Sequence, residues 1–546
     1  CGSWVLSNIP ATGGRHRAQR CHVSMSGTKT VEVVKAKGWC CLPQSRQPSA
    51  PLPPDAPLQV IQETLFNQGT RAATFLCRDR LDVGCMSPDT SQFSILDTVP
   101  PDLKREVLQL ASMEPNAVRA MGAMVGMAVA DSVGAFLEFL PVGKKGSRFN
   151  PQTLKVEGSF NKFKLKPGQW TDDTSMALCL ADSLLVCEGY DGADIRVRFW
   201  NWWHRGYNNA FRRDKGRHAS VGLGGNVAQS LKDVQNNSPS PRFESTSQDA
   251  GNGSLMRLAP VPIFFSSTCE KAAALSEESS RTTHPGKVAA AACHFLGFFL
   301  SKAISRGADP SESAAQFLSK VVEDYLTWPW SSAINRKLAR VLRSEPSTDG
   351  REQCWNWRDP KGPFLEETLD ARGSSYNGYP VSPNYVGSFC LDGLAMAMHS
   401  FYHTTSFMEA MTCCVNFLGD ADSTGAICGQ MAGAFYGLSA IDPRLIQRLR
   451  RWDRDEIAFR AALLFSCGQG YAIRECLKEL SGGARRPTLL ESGKKSEAKA
   501  NKEPPEPRPE PPEAVPVDSL PATGLMTLDS EGATVRGKGL CYRCQL

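Results

Sequence analysis

Between positions 121 and 138 the chain contains the stretch Met121-Gly122-Ala123-Met124-Val125-Gly126-Met127-Ala128-Val129-Ala130-Asp131-Ser132-Val133-Gly134-Ala135-Phe136-Leu137-Glu138. Small residues recur every few positions in this apolar run, and they permit close packing of one helix against another. The stretch therefore predicts a buried helix. Asp131 and Glu138 are its exceptions, because a charge within an apolar run is costly unless it is paired or used.

Helix-period segments continue outward from this stretch, with glycine-rich turns between them, from Pro115 to about Cys476. Examples are 118–129, 175–187, 195–203, 288–304, 314–326, 390–401 and 427–436. Alternating strand patterns are scarce. We therefore predict one compact all-α domain of orthogonally packed helices over residues 113–481.

The two ends of the chain differ from this block in composition. In residues 1–112, Gly, Pro and Ser interrupt every short apolar run, which predicts an irregular or disordered extension. Residues 482–546 form a tail rich in Pro, Glu and Lys. Such a composition buries too little apolar surface to offset its ordering entropy, so we predict disorder there as well.

The bulk composition limits the possible partners and compartment. The 546 residues are 41% hydrophobic and 22% charged, and the net charge of +6 is small for this length. The sequence shows no dominant basic cluster, so nucleic acid is not indicated as a partner. The 19 cysteines include many within apolar helical patterns, as buried free thiols do, which favours the cytoplasm. No apolar run reaches the length of a membrane span, so no membrane is indicated as a partner. We predict that the protein is a monomer.

The first polar cluster is Thr171-Asp172-Asp173, which stands directly before an apolar helical pattern. Taken alone, it is explained by helix capping, because Thr and Asp accept hydrogen bonds from the exposed N–H groups of a first turn. A second cluster, Asp420-Ala421-Asp422-Ser423, also begins a helix of small apolar residues. Hard divalent ions such as Mg²⁺ prefer oxygen-only ligand sets of this kind. Carboxylates brought together without a metal would repel each other and resist ionisation.

Two glycine-rich loops are further candidates for ligand contact. One contains Gly222, Gly224 and Gly225, and the other runs from Gly251 to Ser254. Glycine lets the backbone approach a ligand closely, and N–H groups at a helix start suit a phosphate. An ordinary turn is the alternative explanation for each loop.

The order of these motifs resembles that of the ADP-ribosylglycohydrolase family over roughly residues 115–470. The motifs are Gly122-x-x-x-Gly126-x-Ala128 followed by Asp131, Gly134 and Glu138; Trp170-Thr171-Asp172-Asp173-Thr174; Gly251-Asn252-Gly253-Ser254-Leu255-Met256-Arg257; Thr283-His284; and Gly419-Asp420-x-Asp422-Ser423. Ala130 stands where the family usually has glycine, and Ser423 stands where it often has Thr. The resemblance implies an all-helical fold with two Mg²⁺ or Mn²⁺ ions.

The resemblance also assigns roles to particular residues. The implied metal ligands are Thr171, Asp172, Asp173, Asp420, Asp422 and Ser423. The implied contacts to the diphosphate and ribose are Gly222, Gly224, Gly225, Gly251, Asn252, Gly253, Ser254 and His284. Glu138 matches a loop glutamate that acts as general acid/base or controls access of the metal, and a metal-bound aspartate such as Asp173 is the alternative acid/base. A hydrogen-bonded structural histidine remains the alternative for His284.

The implied activity is metal-dependent hydrolysis of the bond between C1″ of ADP-ribose and a protein side chain or a small conjugate. Such a reaction passes through an oxocarbenium-like transition state. Two other functions remain open at this point. One is a non-catalytic ADP-ribose-binding or structural protein of the same fold, and the other is a metal-dependent phosphohydrolase of nucleotide diphosphates. The products, ADP-ribose or AMP, would distinguish the two hydrolases.

Overall fold

The computed structural model describes residues 94–480 apart from 98, 237–238, 308–310, 331–332, 346–347 and 349. The predicted tail and most of the predicted N-terminal extension therefore lie outside the described residues. Helices dominate this part of the chain. They are α1 Pro101–Ala111, α2 Pro115–Gly134, α3 Asp172–Cys187, α4 Gly192–Arg205, α5 Gly225–Asn236, α6 Pro260–Phe264, α7 Cys269–Arg281, α8 Lys287–Ile304, α9 Ala314–Thr327, α10 Arg336–Arg343, α11 Leu365–Arg372, α12 Cys390–Tyr402, α13 Phe407–Val415, α14 Ala421–Tyr436, α15 Pro443–Asp453 and α16 Glu456–Leu480.

The all-α prediction is confirmed, and each helical segment named above lies within one of these helices. The strands that the structure describes form two small antiparallel hairpins. In the first, β1 (Arg148–Asn150) pairs with β2 (Lys155–Glu157), and Phe149 stands opposite Val156. In the second, β3 (Ser375–Tyr376) pairs with β4 (Tyr379–Pro380). Strand pairing is therefore a local feature of two loops, and helix packing forms the core.

The centre of the core is the contact between α2 and α14, whose backbones touch along their length. A Cβ atom at Gly433 would lie 2.5 Å from the carbonyl carbon of Gly122, and one at Gly429 would lie 2.8 Å from that of Gly126. Side chains cannot occupy such gaps. The small residues of the 121–138 stretch therefore allow this close packing, as its sequence predicts.

Helix α8 is the most apolar of the described helices that are long enough to span a bilayer. Its 18 residues have a mean hydropathy of 1.3, and 72% of this window is buried inside the fold. The core helix of a globular domain has the same length and composition. Phe295, Leu296, Phe298 and Phe299 of this helix are all fully buried.

Residues 94–111 pack onto the helical domain, although their sequence suggested an irregular segment. Pro101 begins α1 at a position where its missing N–H costs no helical hydrogen bond. Val107 is fully buried. Ser94 joins a buried polar network, since its hydroxyl donates to Glu456 at 2.9 Å and accepts from Arg460 at 3.1 Å. The helix was missed because only a few of its residues face the core.

The α2–α14 contact predicts the sign of a glycine substitution. Replacing a helical glycine with alanine normally stabilises a protein by roughly 0.5–1 kcal/mol. We expect Gly433→Ala to lower the free energy of unfolding instead, by about 1–3 kcal/mol, because its methyl group would overlap the backbone of Gly122. Gly470→Ala in α16 is the matched control, since among the described residues no atom outside the neighbouring backbone of its own helix lies within 4 Å of the added Cβ. Denaturant unfolding gives the free energy of unfolding of both variants. Equal values for Gly433→Ala and Gly470→Ala would show that the close contact of α2 and α14 does not exclude a side chain at position 433.

The packing of residues 94–111 predicts the effect of a truncation. A chain beginning at residue 115 should unfold at a lower denaturant concentration than one beginning at residue 94. The expected loss is on the order of 5 kcal/mol, because each buried aliphatic side chain contributes about 1.5–3 kcal/mol. The buried apolar side chains that are lost are Ile95, Leu96, Val99, Val107 and Ala111. Equal unfolding midpoints for the two chains would show that this segment adds no stability.

Candidate active site

Three helix ends meet at one buried cluster of carboxylates. Glu138 lies in the turn that follows α2, and Asp420 and Asp422 lie at the start of α14. Each of these three residues offers an oxygen atom within 4.8 Å of the others, and all three are buried. The close α2–α14 packing therefore brings together residues that are far apart in the chain.

The start of α3 joins this cluster through Thr171. Its hydroxyl oxygen lies 2.8 Å from Asp173 Oδ2 and 3.5 Å from Asp422 Oδ2. Thr171 thus stands between the two acidic motifs that the sequence separates by about 250 positions. The fold therefore brings the two acidic motifs next to each other.

Helix capping does not account for either motif as a whole. Thr171 and Asp420 occupy the N-cap positions of α3 and α14, but neither side chain accepts a capping hydrogen bond. Asp422 accepts one local bond, from the N–H of Ser423 at 2.9 Å. Asp131 of α2 caps α3 from outside instead.

Asp131 accepts hydrogen bonds from four donor groups in the first turn of α3. The backbone N–H groups of Thr171 and Thr174 donate to its carboxylate at 3.0 and 3.1 Å. The hydroxyls of the same two residues lie 2.9 and 2.6 Å from its oxygens. Burial, and after it the charge of Asp422, raise the pKa of Asp131 to about 7, although these hydrogen bonds lower it. Asp131 is the site residue that the sequence analysis noticed but did not assign.

The remaining implied ligands are placed at the edge of the cluster. Asp172 packs against the first glycine loop, where a Cβ atom at Gly222 would lie 2.6 Å from the Asp172 Cγ. Ser423 is buried, and its hydroxyl lies 3.5 Å from the sulfur of Met256. Ala130, which replaces the family's usual glycine, is an ordinary residue in the last part of α2 and has no positive φ. That substitution therefore imposes no strain on the turn that carries Glu138.

In the first glycine loop, one position allows the backbone to lie very close to an acidic side chain. Gly222 has a φ of +89°, which favours glycine, and it is also the residue that contacts Asp172. No atom lies within 4 Å of a Cβ built at Gly224, and Gly225 begins α5. The loop therefore leaves open space beside Gly224, at the N-terminus of α5.

The second glycine loop is attached to the acidic cluster by Asn252. Its side-chain N–H groups donate to Asp420 Oδ2 at 2.8 Å and to the carbonyl of Gly387 at 3.0 Å. Its backbone N–H donates to the carbonyl of Ser388 at 2.9 Å. The Ser254 hydroxyl points into the core, where it accepts from Ser280 at 2.9 Å. The side chain of Asn252 thus positions Asp420, a role that its motif alone did not suggest.

His284 lies beside the second loop at the end of a hydrogen-bond chain. The Arg257 guanidinium donates to the Thr283 hydroxyl at 2.6 Å, and that hydroxyl lies 2.8 Å from His284 Nδ1. Because arginine only donates, Thr283 accepts from it and has its own proton to give to Nδ1. Burial and the charge of Arg257 lower the pKa of His284 to about 3, so the ring is neutral with its proton on Nε2.

The Nε2 atom of His284 faces the two glycines of this loop. A Cβ atom at Gly253 would lie 3.3 Å from Nε2, and one at Gly251 would lie 3.4 Å from it. The two glycines therefore make room for the imidazole edge. Arg257 and Thr283 belong to the motifs quoted from the sequence, but only the fold shows that their side chains form a hydrogen-bond chain to His284.

Sequence comparison gives a consistent result. The sequence model of the ADP-ribosylglycohydrolase family matches residues 113–470. The chain is 29% identical to the ADP-ribosylarginine hydrolase Tri1 of Serratia proteamaculans (strain 568), over 62% of this chain and 76% of that protein. It is 26% identical to the ADP-ribosyl-[dinitrogen reductase] glycohydrolase of Rhodospirillum rubrum, over 61% of this chain and 93% of that protein.

A human relative extends the comparison to eukaryotes. The chain is 23% identical to the ADP-ribosylhydrolase ARH3 of Homo sapiens, over 62% of this chain and 91% of that protein. The family match covers more than half of the chain and contains both acidic motifs and both glycine loops. The chain belongs to the ADP-ribosylglycohydrolase family, whose members are enzymes that hydrolyse ADP-ribosyl groups.

Proposed function

We propose that this protein removes ADP-ribose from a modified protein side chain, or from a small ADP-ribosyl conjugate, in a reaction that depends on divalent metal ions. The observation that carries the proposal is the buried group formed by Glu138, Asp420 and Asp422, whose oxygens lie within 4.8 Å of one another. The named relatives act on ADP-ribosylarginine and on ADP-ribosylated dinitrogen reductase, which supports a protein-linked substrate.

The chemistry of the donor set fits two Mg²⁺ or Mn²⁺ ions. All of the candidate ligands are oxygen donors, and hard divalent cations prefer carboxylate and hydroxyl oxygens. Buried carboxylates at this separation repel each other when they are ionised, and a bound cation relieves that repulsion. The residues that would hold the ions are Thr171, Asp172, Asp173, Asp420, Asp422 and Ser423. When bound, the ions would polarise the ribose hydroxyls and a water molecule.

The residues of the chain supply the other parts of the reaction. Asp131 fixes the hydroxyl and backbone of Thr171, and Asn252 fixes Asp420. The water oxygen would attach to C1″ as the bond from C1″ to the acceptor breaks. One proton leaves the water, and the departing acceptor takes up one proton in its place. In this scheme Glu138 accepts the proton from the water, because Asp173 is one of the residues that would hold an ion.

Two other functions were open from the sequence, and the site weighs against both. A non-catalytic binding protein has no use for buried carboxylates at this separation, because they destabilise the fold unless they are used. A phosphohydrolase would cleave the diphosphate and release AMP. The family match favours cleavage at C1″. Measuring whether ADP-ribose or AMP is released from an ADP-ribosylated protein distinguishes these activities.

Metal binding is testable at Asp422 and Asp172. We expect Asp422→Asn and Asp172→Asn each to lower affinity for Mn²⁺ or Mg²⁺ by at least about ten-fold and to abolish most turnover, because an anionic ligand is lost. The metal-free Asp422→Asn protein should melt at the same temperature or slightly higher, since Asp422 and Asp131 repel each other. Calorimetric titration of each variant with the metal alone, beside thermal unfolding in chelator, measures both effects.

Asp191→Asn is the matched control for this pair. Asp191 caps α4 by accepting from the N–H groups of Ala193 and Asp194, both at 3.0 Å. Asn caps a helix as well as Asp does, so this variant should keep its stability, its metal affinity and its activity. Metal stoichiometry and affinity unchanged in Asp422→Asn and Asp172→Asn would remove the metal centre from the proposal.

The tautomer of His284 gives a second test, on the substrate side of the site. We expect Thr283→Val to remove the donor to Nδ1, shift the imidazole towards the other tautomer and weaken ADP-ribose binding roughly two- to ten-fold, the worth of one hydrogen bond. Thr283→Ser keeps the hydroxyl and should behave as the parent does. Nitrogen-15 chemical shifts of His284 report the tautomer directly. An unchanged tautomer in Thr283→Val would contradict the hydrogen-bond chain from Arg257.

A further inference from the structure

Basic side chains from three separate segments of the chain meet on one surface beside the active-site turn. We call this surface the basic belt and define it by Lys162, Lys164, Lys215, Arg448 and Arg451. All are exposed except Arg448, which is half-buried. The sequence showed no dominant basic cluster because these residues are spread over about 290 positions.

Backbone contacts hold the three segments together. The indole N–H of Trp452 donates to the carbonyl of Pro167 at 3.0 Å, and the guanidinium of Arg448 donates to the carbonyl of Leu154 at 2.8 Å. Arg217 donates to the carbonyl of Phe163. These bonds join the 154–167 segment to α15 and to the 213–217 segment, so the belt is a fixed feature of the fold.

The belt carries an excess of positive charge. Among the residues that the structure describes, Lys164, Lys215 and Arg451 have no ion-pair partner. The carboxylates of this surface are already paired: Asp214 with Lys166 at 2.8 Å, and Asp442 with Arg444 at 2.7 Å. The pKa of Arg448 is lowered by burial and then by the charge of Arg444, as expected where like charges crowd together.

One end of the belt lies beside the turn that carries Glu138. The ammonium group of Lys162 lies 4.2 Å from the ring centroid of Phe139, the residue directly after Glu138. The N–H groups of Phe160 and Asn161 donate to the carbonyl of Phe136 at 3.0 and 3.1 Å. The belt therefore adjoins the turn that carries Glu138.

We propose that the basic belt docks an acidic segment of the ADP-ribosylated protein substrate, next to the modified side chain. This inference rests on the proposed function and adds a substrate class to it. A cluster of positive charge at the mouth of a site attracts an anionic partner and raises its rate of association, with little change in the chemistry that follows.

The surface favours a protein over a nucleic acid. Duplex DNA presents one negative charge about every 1.7 Å, and its binding sites neutralise many phosphates at once. Paired carboxylates also lie in the neighbouring segments, Glu157 with Arg148 and Asp455 with Arg450, and a continuous phosphate backbone would have to pass them. Phe160, which lies beside the turn that carries Glu138, is 54% exposed and offers an apolar contact to a peptide. A peptide with spaced acidic side chains matches both features.

The test compares two ADP-ribosylated peptides of equal length, one flanked by Glu and Asp and the other by Gln and Asn. In the full chain, Lys164→Glu combined with Lys215→Glu should lower kcat/KM for the acidic peptide by about ten-fold at low salt. The neutral peptide and a small ADP-ribosyl conjugate should change by less than about two-fold. The difference should vanish in roughly 1 M salt, where the Debye length is about 3 Å.

A control variant shows whether the loss in kcat/KM depends on charge in the belt or on the net charge of the protein. Lys320→Glu combined with Lys361→Glu makes the same change in net charge at exposed lysines outside the belt, and it should leave both peptides unaffected. Equal losses for the acidic and neutral peptides in the belt variant would overturn the proposal. A larger loss for an ADP-ribosylated oligonucleotide than for the acidic peptide would also overturn it, in favour of a nucleic acid.

A binding measurement keeps this test independent of turnover. Fluorescence anisotropy of the unmodified acidic peptide with the full chain should show weaker binding to the belt variant than to the parent. If no conjugate is hydrolysed but this difference is observed, the proposed function fails and the docking surface stands. If hydrolysis proceeds and the acidic peptide binds the belt variant as it binds the parent, the docking surface fails and the function stands.

Discussion

The rest of the structure depends on backbone contact between α2 and α14. Glycines face each other along this contact, and at its end a Cβ atom at Gly134 would lie 2.6 Å from the carbonyl carbon of Ala421. Both helices end at the active site there: α2 leads into the turn with Glu138, and α14 begins directly after Asp420. The separation of these carboxylates is therefore set by how closely two backbones approach. A core of larger residues would keep the helices but spread the acidic cluster.

Helix α3, the third helix at the candidate site, is held by hydrogen bonds to a carboxylate and not by close packing. Asp131 takes over the capping of α3, so Thr171 and Asp173 need not serve as caps for their own helix. Burying that carboxylate is unfavourable, and the hydrogen bonds from Thr171 and Thr174 offset much of the cost. Acidic residues at the start of a helix can both cap that helix and offer oxygen atoms to a site. In this fold the two roles fall to different residues. Capping is done from α2, and Thr171 and Asp173 are not used as caps of their own helix.

Local patterns allowed much of this to be predicted from the sequence. Helical periodicity located the helices of the domain, and the two acidic motifs and glycine loops pointed to the residues that meet in the site. What could not be predicted depends on contacts between distant segments. The sequence does not show that Asn252 holds Asp420, or that Arg257 and Thr283 orient His284. The N-terminal helix α1 was missed because its apolar face is narrow, and the basic belt because its segments meet only after folding.

Asn252 joins the second glycine loop to the acidic cluster. The donors of its single amide group reach a carboxylate on one side and the carbonyl of Gly387 on the other. A hydrogen bond to an ionised oxygen is stronger than one between neutral groups, so the charge on Asp420 tightens the loop that carries Asn252. His284 stands beside Gly251 and Gly253 of the same loop, and its neutral ring adds no charge that would compete with the cluster. The second glycine loop and Asp420 therefore hold each other in place through Asn252.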